Sequence, residues 1–311
     1  MLDAINLYKP NLMFNYRVMN ITTQIQGGLG NQLFQYAVGR ALSLRLNRQL
    51  QLDVDWFSHS WDNVTPRHLL LRDLKIIGNF IQIRPTITTP KKWREILQRA
   101  LPISPYVLKD RPYRFNPILN KFKPYSNQDI YLMGYWQSFR YFEHIRHDLL
   151  NEIKPLKERS THYRQYLEKI HNTSSAMIHI RRGDYIHLPN AARIHGFLGL
   201  DYYLEGIKIF LSKNPNTHFF IFSDDQVWAK NNLPMHEKMT FIDSADEKSA
   251  PIEELYLMSQ CKAHLIANSS LSWWGAWLCN TQTPNVIAPR NWTNDRDKDW
   301  KNLLPKEWLK I

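Results

Sequence analysis

From about residue 175 onward, short apolar runs alternate with stretches in which apolar residues recur every three or four positions. Residues 176–180 predict a strand. In residues 201–211, Leu204, Ile207 and Leu211 share one helical face, and Asn214-Pro215 stops the helix. Residues 217–222 predict a strand and 240–242 a weaker one. Ser249-Ala250-Pro251 then opens a helix that turns Ile252, Leu255 and Met258 inward. Residues 263–267 predict a strand, 270–278 a helix and 285–288 a final strand. Strands this uniformly apolar, alternating with helices, predict a parallel sheet covered on both faces.

The first half opens in a comparable way. Residues 18–25 predict a strand, residues 26–32 a tight loop, and Leu33 onward a helix with Leu33, Phe34, Ala37, Val38, Ala41 and Leu42 in one stripe. Residues 49–54 supply the next strand. The loop lacks both Gly-x-Gly-x-x-Gly and Gly-Lys-Ser/Thr, so by itself it reads as glycines that make a turn. Between residues 55 and 130, Pro85, Pro90, Pro102, Pro105, Pro112, Pro117 and Pro124 interrupt the pattern and no element is assigned. Trp93, Arg94, Tyr106, Arg111, Tyr113, Arg114 and Phe115 crowd that region, suiting either stacking on sugar rings or the packing of loops. Order returns at Tyr131. Phe142, Ile145 and Leu149 follow at helical spacing, and Lys154-Pro155 marks a boundary that divides the chain into domains 1–155 and 156–311.

Composition narrows the partners. The 311 residues carry a formal charge of +12, which favours nucleotides, nucleic acid or an anionic membrane surface. No helix-turn-helix, zinc-finger or RNP pattern is present and the charge is spread along the chain, which argues against nucleic acid. Cys261 and Cys279 lack metal-ligand spacing, and two thiols in so long a chain fit a reducing cytoplasm. Asp3, Lys9 and Arg17 break up residues 1–20, so neither a signal-peptide core nor a membrane span can be drawn there. Contact with a membrane would be peripheral, through basic residues such as Lys91, Lys92 and Arg94, a cluster that equally suits a solvated helix face.

In parallel sheets ligands collect at the carboxyl ends of the strands. Here those ends are polar: Arg181-Arg182-Gly183-Asp184 follows the first strand of the second half, Ser223-Asp224-Asp225 the second, and Asn268-Ser269-Ser270-Leu271-Ser272 the fourth. Each alone could be a solvated turn or a helix cap. Together they offer guanidiniums for a pyrophosphate, hydroxyls and helix amides for its oxygens, and carboxylates for the donor groups of a purine. Arg182 falls on the opposite side of the extended chain from Arg181 and suits a structural carboxylate or Asp184. No metal-ligand cluster stands out. Asp53-Val54-Asp55 has permissible spacing but reads as ordinary surface.

Five motifs in order, Gln26–Tyr36 (with Gly27-Gly28-Leu29-Gly30-Asn31-Gln32), Gly134-Tyr135-Trp136-Gln137-Ser138, His179-Ile180-Arg181-Arg182-Gly183-Asp184-Tyr185, Phe222-Ser223-Asp224-Asp225 and Asn268–Trp277 (with Ser269-Ser270-Leu271-Ser272-Trp273-Trp274), span nearly the whole chain. With them the chain resembles bacterial α-1,2-fucosyltransferases of glycosyltransferase family 11. The resemblance implies a GT-B-like α/β fold of two facing Rossmann-like domains, the first on the acceptor side and the second holding the GDP-sugar. It implies GDP-L-fucose as donor substrate, a galactose-terminated glycan such as an O-antigen as acceptor, transfer to O2 with inversion, and neither metal nor cofactor. Arg181 is implied to meet the β-phosphate, His179 and Asp224 the guanine, and Ser269 and Ser270 the ribose or phosphate oxygens. Arg182 and Asp225 join the donor-binding set, which Gly28, Gly30 and Asn31 approach from the opposing domain. Asp184 is the nearby candidate for a catalytic base, or an orienting partner of the arginines. Trp273, Trp274 and Trp277 are expected to pack in the core. Other regiochemistry, or a GDP-sugar-binding module without catalysis, are the competing readings.

Overall fold

The computed structural model describes residues 19–60, 66–83, 105–110, 115–117, 119, 128–157, 160–183, 186, 189–234, 237–243, 250–281, 285–294 and 300–311. Two parallel sheets organise them. The first has the order β3-β2-β1-β5-β4, built from β1 (Asn20–Gln24), β2 (Gln49–Asp53), β3 (Asn79–Ile81), β4 (Tyr106–Lys109) and β5 (Ile130–Met133). The second comprises β6 (Ser174–Ile180), β7 (Thr217–Ser223), β8 (Met239–Phe241), β9 (Ala263–Leu265), β10 (Asn285–Ala288) and β11 (Leu309–Lys310). Its order, β11-β10-β9-β6-β7-β8, is that of doubly wound dinucleotide-binding sheets, in which the strand order reverses beside the first strand, here between β6 and β9. The helices are α1 (Leu29–Leu46), α2 (Arg146–Glu152), α3 (Thr161–His171), α4 (Pro189–Ile194), α5 (Leu200–Lys213), α6 (Gln226–Asn232), α7 (Ala250–Gln260) and α8 (Ser270–Trp277).

β3, β4 and β11 escape the sequence pattern because they are two to four residues long and only partly buried. Their partners in the sheet define them, not their own alternation. α1 starts at Leu29, four residues before the apolar stripe, so Gly30, Asn31 and Gln32 belong to a helix and not to the predicted loop. Gly27 makes the turn with φ +76, and Gly28 is the cap. Of the face predicted for Leu204, Ile207 and Leu211, Leu204 is exposed and Ile207 buried, because Tyr203, Ile207 and Phe210 take the core face of α5. Asp53 also departs from expectation. It is buried, accepting from the Asp55 and Ile83 amides through Oδ1 and from the Tyr131 hydroxyl through Oδ2, so it is a structural anchor between strands.

The two sheets meet across an aromatic seam. α1 lies against α8, where the Phe34 ring sits 4.6 Å from Trp273 and 5.2 Å from Trp274, and Phe142 stacks on Trp274 at 5.3 Å. Trp273 and Trp274 are fully buried and Trp277 nearly so, in line with their expected core role. One continuous hydrophobic cluster therefore runs from Ile21 in β1 to Trp308 near the carboxyl end. A second cluster fills the far face of the second sheet, with Ala176, Ile178 and Ile180 of β6 against Tyr203 and Phe210 of α5.

Candidate active site

The alternation of β6 sorts the residues that follow it. Ala176, Ile178 and Ile180 belong to the far-face cluster, whereas Met177 belongs to the seam cluster shared with the first sheet. His179 continues the Met177 face, and Arg181 follows it two residues on. Arg182 goes the other way: its guanidinium carbon lies 5.4 Å from the Trp228 ring centre and 5.8 Å from that of Phe197, both packed on the far-face cluster.

The β6–β7 register, with Ile180 opposite Ser223, brings the arginines beside the two aspartates. Arg181 is ion-paired with Asp224 at 2.9 Å. The same carboxylate accepts from the amides of Arg182 at 2.8 Å and Gly183 at 3.1 Å, so Asp224 holds both the side chain and the turn that carries it. Asp225 caps α6 through the Trp228 amide and is ion-paired with Arg182. Arg182 and Asp225, expected in the donor-binding set, thus bind each other on the far side of the strand. Arg181 is left toward the seam.

His179 is buried behind Arg181. Burial, reinforced by the neighbouring guanidinium, lowers its pKa to about 3, so the imidazole is neutral at working pH. Its Nδ1 has no hydrogen-bond partner among the described residues. A neutral ring with an open polar atom suits a ligand that can donate or accept beside Arg181.

β9 runs next to β6, and its carboxyl end leads through Asn268 and Ser269 into α8. Asn268 is buried and donates to the carbonyls of His195 and Gly196, tying the segment after α4 to this edge. Ser272 is also inward, donating to the carbonyls of Ala267 and Ser269. Neither α8 nor α1 has a side-chain cap, which leaves first-turn amides at this edge for an anion.

The two helix starts touch. A Cβ built on Gly30 would lie 2.4 Å from the Ser270 carbonyl carbon and 2.5 Å from the Leu271 nitrogen. Gly30 therefore serves the approach of α1 to α8, and its missing side chain is filled by protein and not by a ligand. Asn31 accepts from Gln137 Nε2 at 2.9 Å, which joins α1 to the segment after β5. Gly28 stands near Arg67, whose side chain lies 3.9 Å from the Cβ position. Asp184 lies outside the described residues. The contributions of Asn268, Gln137 and Asn302 were not read from sequence. Asn268 and Gln137 each sit in a quoted motif, which is the one indication that could have found them, whereas Asn302, which accepts from Ser138 Oγ, sits in none. Among the described residues, no group of three or more His, Cys, Asp or Glu could hold a metal ion, and no helix is long and apolar enough to cross a membrane.

Two doubly wound parallel sheets, facing across a seam with their polar strand ends gathered there, define a GT-B-like α/β protein. Its overall fold matches that of Arabidopsis thaliana FUT1 solved in complex with GDP, with a TM-score of 0.50 at 11% identity, covering 88% of this chain and 71% of that one. The profile of Glycosyl transferase family 11 matches residues 3–311, and the chain belongs to that family. It is 31% identical to an alpha-1,2-colitosyltransferase of Escherichia coli over 94% of this chain and 98% of that one. It is also 31% identical to the Escherichia coli O-antigen biosynthesis glycosyltransferase WbnK, over 92% and 99% of the two chains.

Proposed function

We propose that this chain is an inverting fucosyltransferase that moves L-fucose from GDP-β-L-fucose to O2 of a terminal galactose in a surface glycan such as an O-antigen, without a divalent metal. The observation that carries the reading is the placement of Arg181. It stands at the reversal point of the second sheet, on the face toward the seam, held by Asp224 and flanked by the uncapped start of α8.

When the bond between fucosyl C1 and the β-phosphate oxygen breaks, negative charge develops on the departing GDP while the sugar becomes oxocarbenium-like. A guanidinium fixed beforehand stabilises that charge at no cost of reorganisation. Neutral His179 and the hydroxyls of Ser269 and Ser270 complete the donor cradle. The acceptor O2 attacks the opposite face of C1, which inverts its configuration, and Asp184 is the carboxylate proposed to take the O2 proton. The setting is cytoplasmic, peripheral at the inner membrane, where the net charge of +12 favours an anionic surface.

A second donor is favoured by one observation, the extensive similarity to a colitosyltransferase. Colitose is fucose without its 3-hydroxyl, so the two donors differ by one polar group. The deciding assay gives purified protein GDP-fucose, GDP-colitose or other GDP-sugars with galactose-terminated acceptors, with and without chelator, and determines the linkage by NMR. Transfer from GDP-fucose to O2 that survives chelation is the expected result. Preference for GDP-colitose would replace the donor, a linkage to O3 or O6 would remove the regiochemistry, and binding without transfer would leave a GDP-sugar-binding module.

A further inference from the structure

The segment that follows β5 lies at the carboxyl edge of the first sheet, next to the turn after β1, where that sheet's strand order reverses. Its backbone is unusual. Gly134 has φ +130 and Trp136 φ +55, a left-handed conformation that a bulky side chain seldom adopts. Such a conformation persists only where the surroundings over-determine it, and residues of this kind cluster at functional sites.

The surroundings here do over-determine it. The Gly134 carbonyl accepts from Gln35 Nε2 of α1 at 3.2 Å, and the Trp136 amide donates to Asp110 Oδ2 beyond β4 at 2.9 Å. Gln137 donates to Asn31 at the start of α1, and Ser138 Oγ to the carbonyl of Asn302, from the second half of the chain, at 2.7 Å. A Cβ at residue 134 would lie 2.3 Å from Asp110 Cβ, so glycine is required. The Trp136 ring is buried, edge-on to Tyr141. Every residue of 134–138 is fixed except in one respect. Tyr135, between the two unusual residues, stays 40% exposed, although burial of the rest of it raises its phenol pKa.

A packed loop has no need to leave part of an aromatic residue uncovered on a strained backbone. The location supplies a reason. Asn31 neighbours Gly30, Gly30 touches Ser270, and Ser270 begins the helix at the reversal point that carries Arg181. Tyr135 thus belongs to the segment that Gln137 ties to the start of α1, and that helix start meets α8 across the seam. A galactopyranoside presents a patch of C–H groups on one face, and a flat phenol ring with a polar tip is complementary to it.

We propose that Tyr135 is the wall on which the terminal galactoside of the acceptor stacks, with Gly134 and Trp136 holding the ring toward the cleft. The acceptor class rests on the functional reading above. In steady-state assays Tyr135→Ala raises the acceptor KM roughly tenfold, leaving donor KM, acceptor-independent donor hydrolysis and the melting temperature unchanged, while Tyr135→Phe stays close to wild type. Saturation-transfer NMR with methyl β-galactoside, which needs no turnover, shows contact between sugar C–H groups and the wild-type protein that Tyr135→Ala abolishes. Sugar contact that persists in Tyr135→Ala, a change in donor KM in place of acceptor KM, or no galactoside contact with the wild type overturns the proposal. A wild-type protein that shows the Tyr135-dependent contact yet transfers neither fucose nor colitose sinks the functional reading and leaves the stacking site standing.

Discussion

Replacing Gly30 by alanine adds one methyl group at the point where the two sheets come closest. That methyl would sit 2.4 Å from the Ser270 carbonyl carbon, 2.5 Å from the Leu271 nitrogen and 2.5 Å from Ser270 Oγ, where ordinary contact begins at 3.4 Å. The deficit is about 1 Å against backbone, which cannot rotate away as a side chain would. α1 and α8 must part by a comparable amount, lifting Phe34 from Trp273 and Trp274. Overpacking of this kind costs about 1–3 kcal/mol, and each aromatic pair disturbed forfeits part of roughly 0.5–1.5 kcal/mol. A displacement near 1 Å between catalytic groups is worth on the order of 100-fold in rate. Gly30→Ala should therefore lower the melting temperature by several degrees and kcat/KM for sugar transfer by about 100-fold, measured by calorimetry and product formation. Ser270→Gly in the same protein removes the hydroxyl, which also belongs to the proposed donor cradle, and should not restore the melting temperature. A Gly30→Ala protein with wild-type stability and rate would refute the close-contact argument, and rescue by Ser270→Gly would move its origin from the backbone to the side chain.

The two arginines should separate experimentally. Arg181→Ala is expected to lower kcat by about 100- to 1,000-fold with little change in melting temperature, whereas Arg182→Ala, which empties the space between Phe197, Trp228 and Asp225, should chiefly destabilise. Equal loss of stability in both would contradict the opposite-face placement. His179 and His264 are buried with pKa values lowered to about 3 and about 4, so the unfolded chain binds more protons between those values and about 6.5. Stability should rise with pH through that window and level off above it. Chemical denaturation from pH 4 to 7 measures the slope, and His264→Asn should reduce it. Trp274→Ala should cost roughly 3–5 kcal/mol by denaturant titration, because the fully buried ring contacts Phe34, Phe142, Trp273 and Trp277.

The second sheet was legible because its strands are buried on both faces, and an apolar run such as residues 217–222 leaves little choice. β11 escaped, being two residues long with an exposed leucine. In the first sheet β3 and β4 owe their existence to hydrogen-bonding neighbours, which local pattern does not show. The alternation after β6 separates Arg181 from Arg182 without coordinates. Pairing each with its own aspartate requires the β6–β7 register, a property of two segments 43 residues apart in Ile180 and Ser223. Asp53 misled because a carboxylate at a strand end looks solvated until Tyr131 and the amides of Asp55 and Ile83 are placed around it.

The aromatic seam has a bearing on how the chain acquires its structure. Phe34 comes from the first sheet's helix and Trp273 and Trp274 from the second's, and a single cluster contains all three. Neither segment can bury its rings until the other has been synthesised, 239 residues separating Phe34 from Trp273. Residues 1–155 made alone would display an uncovered aromatic surface and should be retained by chaperones or precipitate. Unfolding of the complete chain should then be one cooperative transition, in which tryptophan fluorescence and far-ultraviolet circular dichroism change together.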